Sequence, residues 1–250
     1  MSFFTKKTAI ITGATSGIGQ GIAWALNKQG ANLILSGRNV GRGQRLEKQL
    51  GPSAHFVAGD IKQPRANEAL VEAALERFGR LDMLVLSAGQ LGIGKLDTLS
   101  LEDWQETIAT NLNAVFYLLK YAIPEMQKRG EGSVVIIGSV AARHAFPSHP
   151  AYSASKGALP ALVRQLARDY SPEIRVNLVS PAQVITPLLH NSVKAFDNPD
   201  EILEETAQKL PMKRLGLPED IAHTVLHLLG DQSSWATGSN FVVDGGFMAT

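Results

Sequence analysis

The sequence predicts an α/β fold: a mostly parallel β-sheet covered by helices on both faces. Three observations carry that expectation. Short runs that are apolar at nearly every position recur along the chain, as strands buried on both faces require. Between them lie segments whose apolar residues recur at helical spacing. No linker, repeat or low-complexity tract interrupts the alternation, so residues 1–250 are expected to form one domain.

Residues 8–12 read as a short buried strand, and Ile18, Ile22, Ala25 and Leu26 trace one face of the helix that follows. Gly30 stops that helix. A second strand is expected over 32–36, a short helix over 42–50 and a third strand over 55–58. Next come a helix over about 63–78 and a strand over 83–86. Ser100, with Asp103 three residues on, resembles a capping box and opens one long helix to about 128, with Pro124 a late kink. A strand over 133–137, the helix carrying Tyr152, and a strand over 174–179 follow. Pro218-Glu219-Asp220 opens another helix, since proline suits the first turn and acids its positive end. Residues 240–244 form a last strand. The rhythm breaks over about 186–211, where Pro187, Pro199 and Pro211 punctuate polar residues mixed with Leu188, Leu189, Val193 and Phe196. That stretch reads as a mobile flap.

Composition narrows the function. Net charge is +1, with 24 basic and 23 acidic residues interspersed, and no basic tract suggests nucleic acid. The absence of cysteine excludes disulfides, iron–sulfur clusters and thiolate zinc sites, and suits a reducing cytoplasm. No apolar run approaches the ~18 residues a membrane span needs, and no signal-peptide pattern opens the chain. A cytoplasmic protein is expected. His223 and His227 share a helical face, but no third ligand of suitable spacing accompanies them.

The chemistry centres on Tyr152 and Lys156. Four residues apart on one helix, they place an ammonium one turn from a phenol. A phenol with its pKa near 10 is a poor base at neutral pH, and lowering it by roughly three units takes about 4 kcal/mol. One cation at ~4 Å, in an effective dielectric of ~20, supplies about that much. Ser139 lies thirteen residues upstream of Tyr152, just past the strand 133–137, at a sheet end where ligand-binding residues gather. Arg143 and His144 follow it as candidate substrate contacts. At the first strand–helix junction, Gly13, Gly17 and Gly19 have the spacing Gly-x3-Gly-x-Gly. Gly13 permits a tight turn, and Gly17 and Gly19 let the backbone approach a pyrophosphate at the helix N-terminus.

Together these residues resemble the short-chain dehydrogenase/reductase family, from about residue 8 to 246, and are similar to its 3-oxoacyl carrier-protein reductases. The resemblance implies a Rossmann-type doubly wound sheet of about seven strands. It also implies an NAD(P)-dependent enzyme acting on a small carbonyl or alcohol. In that reading Tyr152 exchanges a proton with the substrate oxygen, Ser139 holds that oxygen, Lys156 tunes the phenol, and Asn111 orders a proton-relaying water. The implied cofactor contacts are the turn Gly13, Thr15, Ser16, Gly17, Ile18 and Gly19, then Asp60 and Ile61, then Ser87, Ala88 and Gly89. Tyr152, Lys156, Pro181, Val184 and Thr186 complete them. At the end of strand two, Gly37 stands where NAD-preferring relatives carry an acid, and Arg38 follows with a guanidinium suited to a phosphate. NADP(H) is therefore the expected cofactor, with NAD(H) possible. Three positions depart from the family pattern: Ser16 for a basic residue, Ser87 for asparagine, and Ala182 for glycine. The helices at 100–128 and 152–170 imply a homotetramer. Two other readings share the frame. One is a dinucleotide-sensing regulator without turnover; the other is an NAD-dependent sugar, polyol or hydroxy-acid dehydrogenase.

Overall fold

The computed structural model describes residues 4–194 and 198–249. Strands β1 (Thr8–Thr12), β2 (Asn32–Gly37), β3 (Ala54–Ala58), β4 (Met83–Leu86), β5 (Gly132–Ile137), β6 (Ile174–Pro181) and β7 (Asn240–Val243) form one sheet. Its order is β3-β2-β1-β4-β5-β6-β7, and every neighbouring pair is parallel. The helices are α1 (Gly17–Lys28), α2 (Val40–Leu50), α3 (Pro64–Phe78), α4 (Leu101–Ile108), α5 (Ala114–Arg129), α6 (Pro150–Tyr170), α7 (Pro187–Val193), α8 (Pro199–Lys209) and α9 (Pro218–Leu229).

Period-two alternation sends neighbouring strand residues into different cores. Ile11, Leu33, Leu35, Val85 and Val135 face α1, α2 and α9, which contribute Ile22, Leu26, Leu46 and Val225. Ile10, Ile34, Leu84, Val134 and Ile136 face α3, α5 and α6, which contribute Leu70, Leu118, Leu159 and Val163. Both faces are thus dry, which is why the strands read as continuous apolar runs. The chain reverses its winding between β1 and β4, and the strand ends there open a crevice.

The sequence expectation for strands and main helices holds, with two corrections. The long helix from 100 is not uniform: α4 and α5 are joined by a π-helical turn over Ala109–Asn113. The flap is not irregular chain, because α7 and α8 fill most of it. Prolines open both helices, at a position where the missing N–H costs nothing. Val193, Leu203, Leu210 and Leu215 give the flap a small core of its own, with Phe247 packed against it. Phe196 lies outside the described residues. Pro124 sits within α5 without ending it.

Candidate active site

A cleft of about 540 Å³ opens over the strand ends. Nearly all the residues singled out in the sequence line it. The β1–α1 turn contributes Gly13, Thr15, Ser16, Gly17 and Ile18; the β2 end contributes Arg38; the β3 end contributes Asp60 and Ile61. Ser87, Ala88 and Gly89 follow β4, Ser139 follows β5, and Pro181, Val184 and Thr186 come from β6 and beyond. Tyr152 and Lys156 rise from the first turns of α6. Gly19 and Asn111 stand just behind this surface.

The turn has the form of a phosphate cradle. Gly13 has φ +66°, and a Cβ there would lie 2.9 Å from the Ala88 Cα. A Cβ on Gly19 would lie 2.5 Å from the Gly13 carbonyl oxygen, so α1 reaches this close to β1 only through glycine. Ser16 makes no side-chain cap bond, so the first N–H groups of α1 keep their capacity for an anion at the cleft. Thr12 fastens the opposite side, its hydroxyl accepting from the N–H groups of Ser87 at 3.1 Å and Ala88 at 3.3 Å. Residue 87 is thus held through its backbone. The residues present fit a dinucleotide.

Arg38 and Arg42 line the far end of the cleft, and among the described residues neither makes an ion pair. Arg42 escaped the sequence reading. Its signal was Asn39, whose side chain accepts from the Arg42 N–H at 2.9 Å and so starts α2 there. Asp60 is paired with Lys62 at 3.4 Å, and Lys62 also bonds Glu106 of α4. Ala182 takes no positive φ, so replacing glycine there leaves the backbone unstrained.

At the floor, the Ser139 hydroxyl hydrogen-bonds the Tyr152 phenol. Burial pushes that phenol above its ordinary 10, and the bond from Ser139 opposes the rise. Tyr152 keeps a face open to the cleft, yet protein crowds its remaining sides. Lys156 is buried, with its ammonium 5.8 Å from the Tyr152 ring centroid, and it donates to the Ile137 carbonyl at 2.8 Å. Burial lowers its pKa from 10.5 to about 8. The expected lowering of the phenol is absent, because the cation sits over the ring and desolvation dominates.

Asn111 occupies the π-helical turn and is almost fully buried. Its Oδ1 accepts from the Gln90 N–H at 2.8 Å, and its Nδ2 donates to the Gln90 carbonyl and the Ser155 hydroxyl, both at 2.9 Å. These bonds tie α6 to the loop after β4. Arg143 and His144 are exposed and do not line the cleft; His144 packs instead against Phe146 and Phe247. His149, which the sequence reading passed over, does line it, with its ring 6.3 Å from that of Tyr152. His223 and His227 are exposed on α9, and no metal-binding cluster occurs among the described residues. Nor is any described helix long and apolar enough to cross a membrane.

Fold and cleft together are those of a dinucleotide-binding oxidoreductase. A family model described as Enoyl-(Acyl carrier protein) reductase matches residues 13–248. An uncharacterized oxidoreductase of Thermotoga maritima is 39% identical over 250 residues, covering 98% of this chain and 99% of its own. A cyclohexanol dehydrogenase of an Acinetobacter species is 35% identical, with 98% and 96% covered. The crystal structure of levodione reductase superposes with a TM-score of 0.94 at 29% identity, covering 99% of both chains. The chain belongs to the short-chain dehydrogenase/reductase family, enzymes that interconvert CH–OH and C=O groups with NAD(P).

Proposed function

We propose that this chain is an NADP(H)-dependent oxidoreductase for a small-molecule carbonyl and its secondary alcohol, with Tyr152 as the general acid and base. The observation that carries this reading is the Ser139–Tyr152 hydrogen bond at the cleft floor, with the Lys156 ammonium against the same ring. The phenol is protonated at neutral pH, the form from which a carbonyl oxygen can take a proton; burial makes it a weaker acid, and the Lys156 ammonium against its ring works against that. Ser139 is placed to hold that oxygen, and Lys156 to balance the charge left on the phenolate. Asn111 keeps the loop and helix that frame these groups in register. The nicotinamide, when bound, supplies or accepts the hydride.

The cofactor preference rests on the β2 end. Gly37 carries no acid to repel a 2′-phosphate, and beside it stand Arg38 and Arg42, two guanidiniums without an ion-pair partner among the described residues. The orphan N–H groups of α1, with Asp60, Ile61, Ser87, Ala88, Gly89, Pro181, Val184 and Thr186, fit the rest of the dinucleotide. The flap helices close over the substrate as one unit, held by their own core. The enzyme works as a homotetramer in the cytoplasm, in keeping with apolar exposed residues on α4 and α5 and a cysteine-free chain.

The test is Tyr152→Phe. Turnover of a carbonyl substrate should fall about 100- to 10,000-fold, the usual size of a general-acid contribution, while NADPH binding is retained. Near-normal turnover by the variant would remove Tyr152 from the mechanism.

A further inference from the structure

The cleft wall above Tyr152 is built by the 146–149 loop and by α7 and α8, and its polar side chains are His149, Ser192 and Thr206. What each can still offer a substrate is set by bonds already made. His149 Nδ1 lies 2.6 Å from the Pro147 carbonyl oxygen. A carbonyl only accepts, so Nδ1 carries the hydrogen, and Nε2 of the neutral ring is an acceptor. The Ser192 hydroxyl donates to the Leu189 carbonyl at 2.7 Å, and the Thr206 hydroxyl to the Ile202 carbonyl at 2.6 Å. Each has committed its one proton and keeps only acceptor lone pairs.

The surrounding wall is apolar, through Phe146, Leu188, Leu189, Val193 and Leu203. Among the described residues it carries no charged side chain. The charged groups of the cleft are Arg38, Arg42 and Asp60 at the far end, and Lys156 beneath Tyr152. The loop also holds His149 in place. Ser148 has φ +59°, a left-handed conformation that non-glycine residues rarely adopt, and its carbonyl accepts from the Gly94 N–H at 2.9 Å.

A wall of acceptors without charge rejects carboxylates and phosphates and rewards a ligand that donates hydrogen bonds. We infer that the substrate is an uncharged diol, polyol or hydroxyketone, whose second hydroxyl, next to the reacting carbon, donates to His149 Nε2. This rests on the oxidoreductase reading of Tyr152 and adds the substrate class to it.

The experiment compares kcat/KM with NADP+ for two series: cyclohexane-1,2-diol, cyclohexanol and 2-methoxycyclohexanol, and butane-2,3-diol, butan-2-ol and 3-methoxybutan-2-ol. A 2-hydroxycyclohexanecarboxylate serves as the charged control. In at least one series the diol should exceed both the mono-alcohol and the methyl ether by about tenfold, the worth of one well-made hydrogen bond. His149→Phe should lower the diol-to-mono-alcohol ratio by about tenfold, and His149→Gln, which keeps an acceptor, should restore part of it. Equal efficiency of diol and mono-alcohol, a ratio untouched by His149→Phe, or preference for the carboxylate overturns the inference and leaves the oxidoreductase reading standing. Absence of turnover across all compounds, with NADPH still bound, overturns both.

Discussion

The Lys156 ammonium stands over the face of the Tyr152 ring, 5.8 Å from its centroid, and is anchored by the Ile137 carbonyl at 2.8 Å. Two groups that titrate close together in water are thereby moved in opposite directions, the phenol up and the ammonium down to about 8, by the same burial. Each shift disfavours the charged form. The pair therefore sits at neutral pH mainly as phenol and ammonium.

That burial has a consequence for stability. Lys156 is depressed from 10.5 to about 8 in the folded chain, so between those values the unfolded chain binds more protons and stability rises with pH. Below 8 both states are charged, and the folded state bears the full desolvation cost. In chemical denaturation without nucleotide, the wild type should gain up to about 3 kcal/mol on Lys156→Met between pH 7 and 10.5. A constant difference across that range would show that Lys156 is solvated in solution.

Cofactor choice is coupled to Thr15. A Cβ on Gly37 would fall 2.7 Å from the Thr15 Cγ2 and 2.9 Å from its Oγ1. Gly37→Asp alone should therefore cost about 1–3 kcal/mol by crowding. It should also weaken NADPH binding without creating tight NADH binding. The double variant Thr15→Ala/Gly37→Asp should recover the melting temperature and favour NADH, as titration calorimetry of both nucleotides would reveal.

Asn111 offers a separate test of structure against chemistry. Asn111→Leu strands the N–H and carbonyl of Gln90 and the partner of Ser155. It should destabilise the fold by about 2–4 kcal/mol, since buried polar groups left unpaired cost about 1–3 kcal/mol each. Urea denaturation measures this directly, and a loss below about 0.5 kcal/mol would mean that the π-helical turn stands without these bonds.

Subunit assembly is tested on the exposed apolar residues of α4 and α5. Leu101 is 81% and Phe116 55% exposed, apolar surface that a subunit contact would cover. The wild type should elute as a tetramer in size-exclusion chromatography with light scattering, and Phe116→Asp should yield smaller species. A wild-type monomer would refute the assembly.

Much of this was legible in one dimension. Strand stretches such as 83–86 and 134–137 announced themselves because burial on both faces favours an apolar residue at every position. The glycine spacing of the first turn and the four-residue interval from Tyr152 to Lys156 follow from local backbone geometry, so they survive in sequence. Other features depend on atoms distant along the chain. The π-helical turn at Asn111 is held by Gln90 and Ser155, and the flap became helical because its leucines found a common core. His149 entered the cleft through the fold of its loop, while His144, five residues earlier, left it for Phe146 and Phe247. The sequence by itself determined the parallel sheet, the cradle and the paired phenol and ammonium, all set by short-range periodicity. Only the tertiary structure decided how deeply that pair is buried, and so the direction in which each group titrates, because desolvation is the work of every neighbour at once.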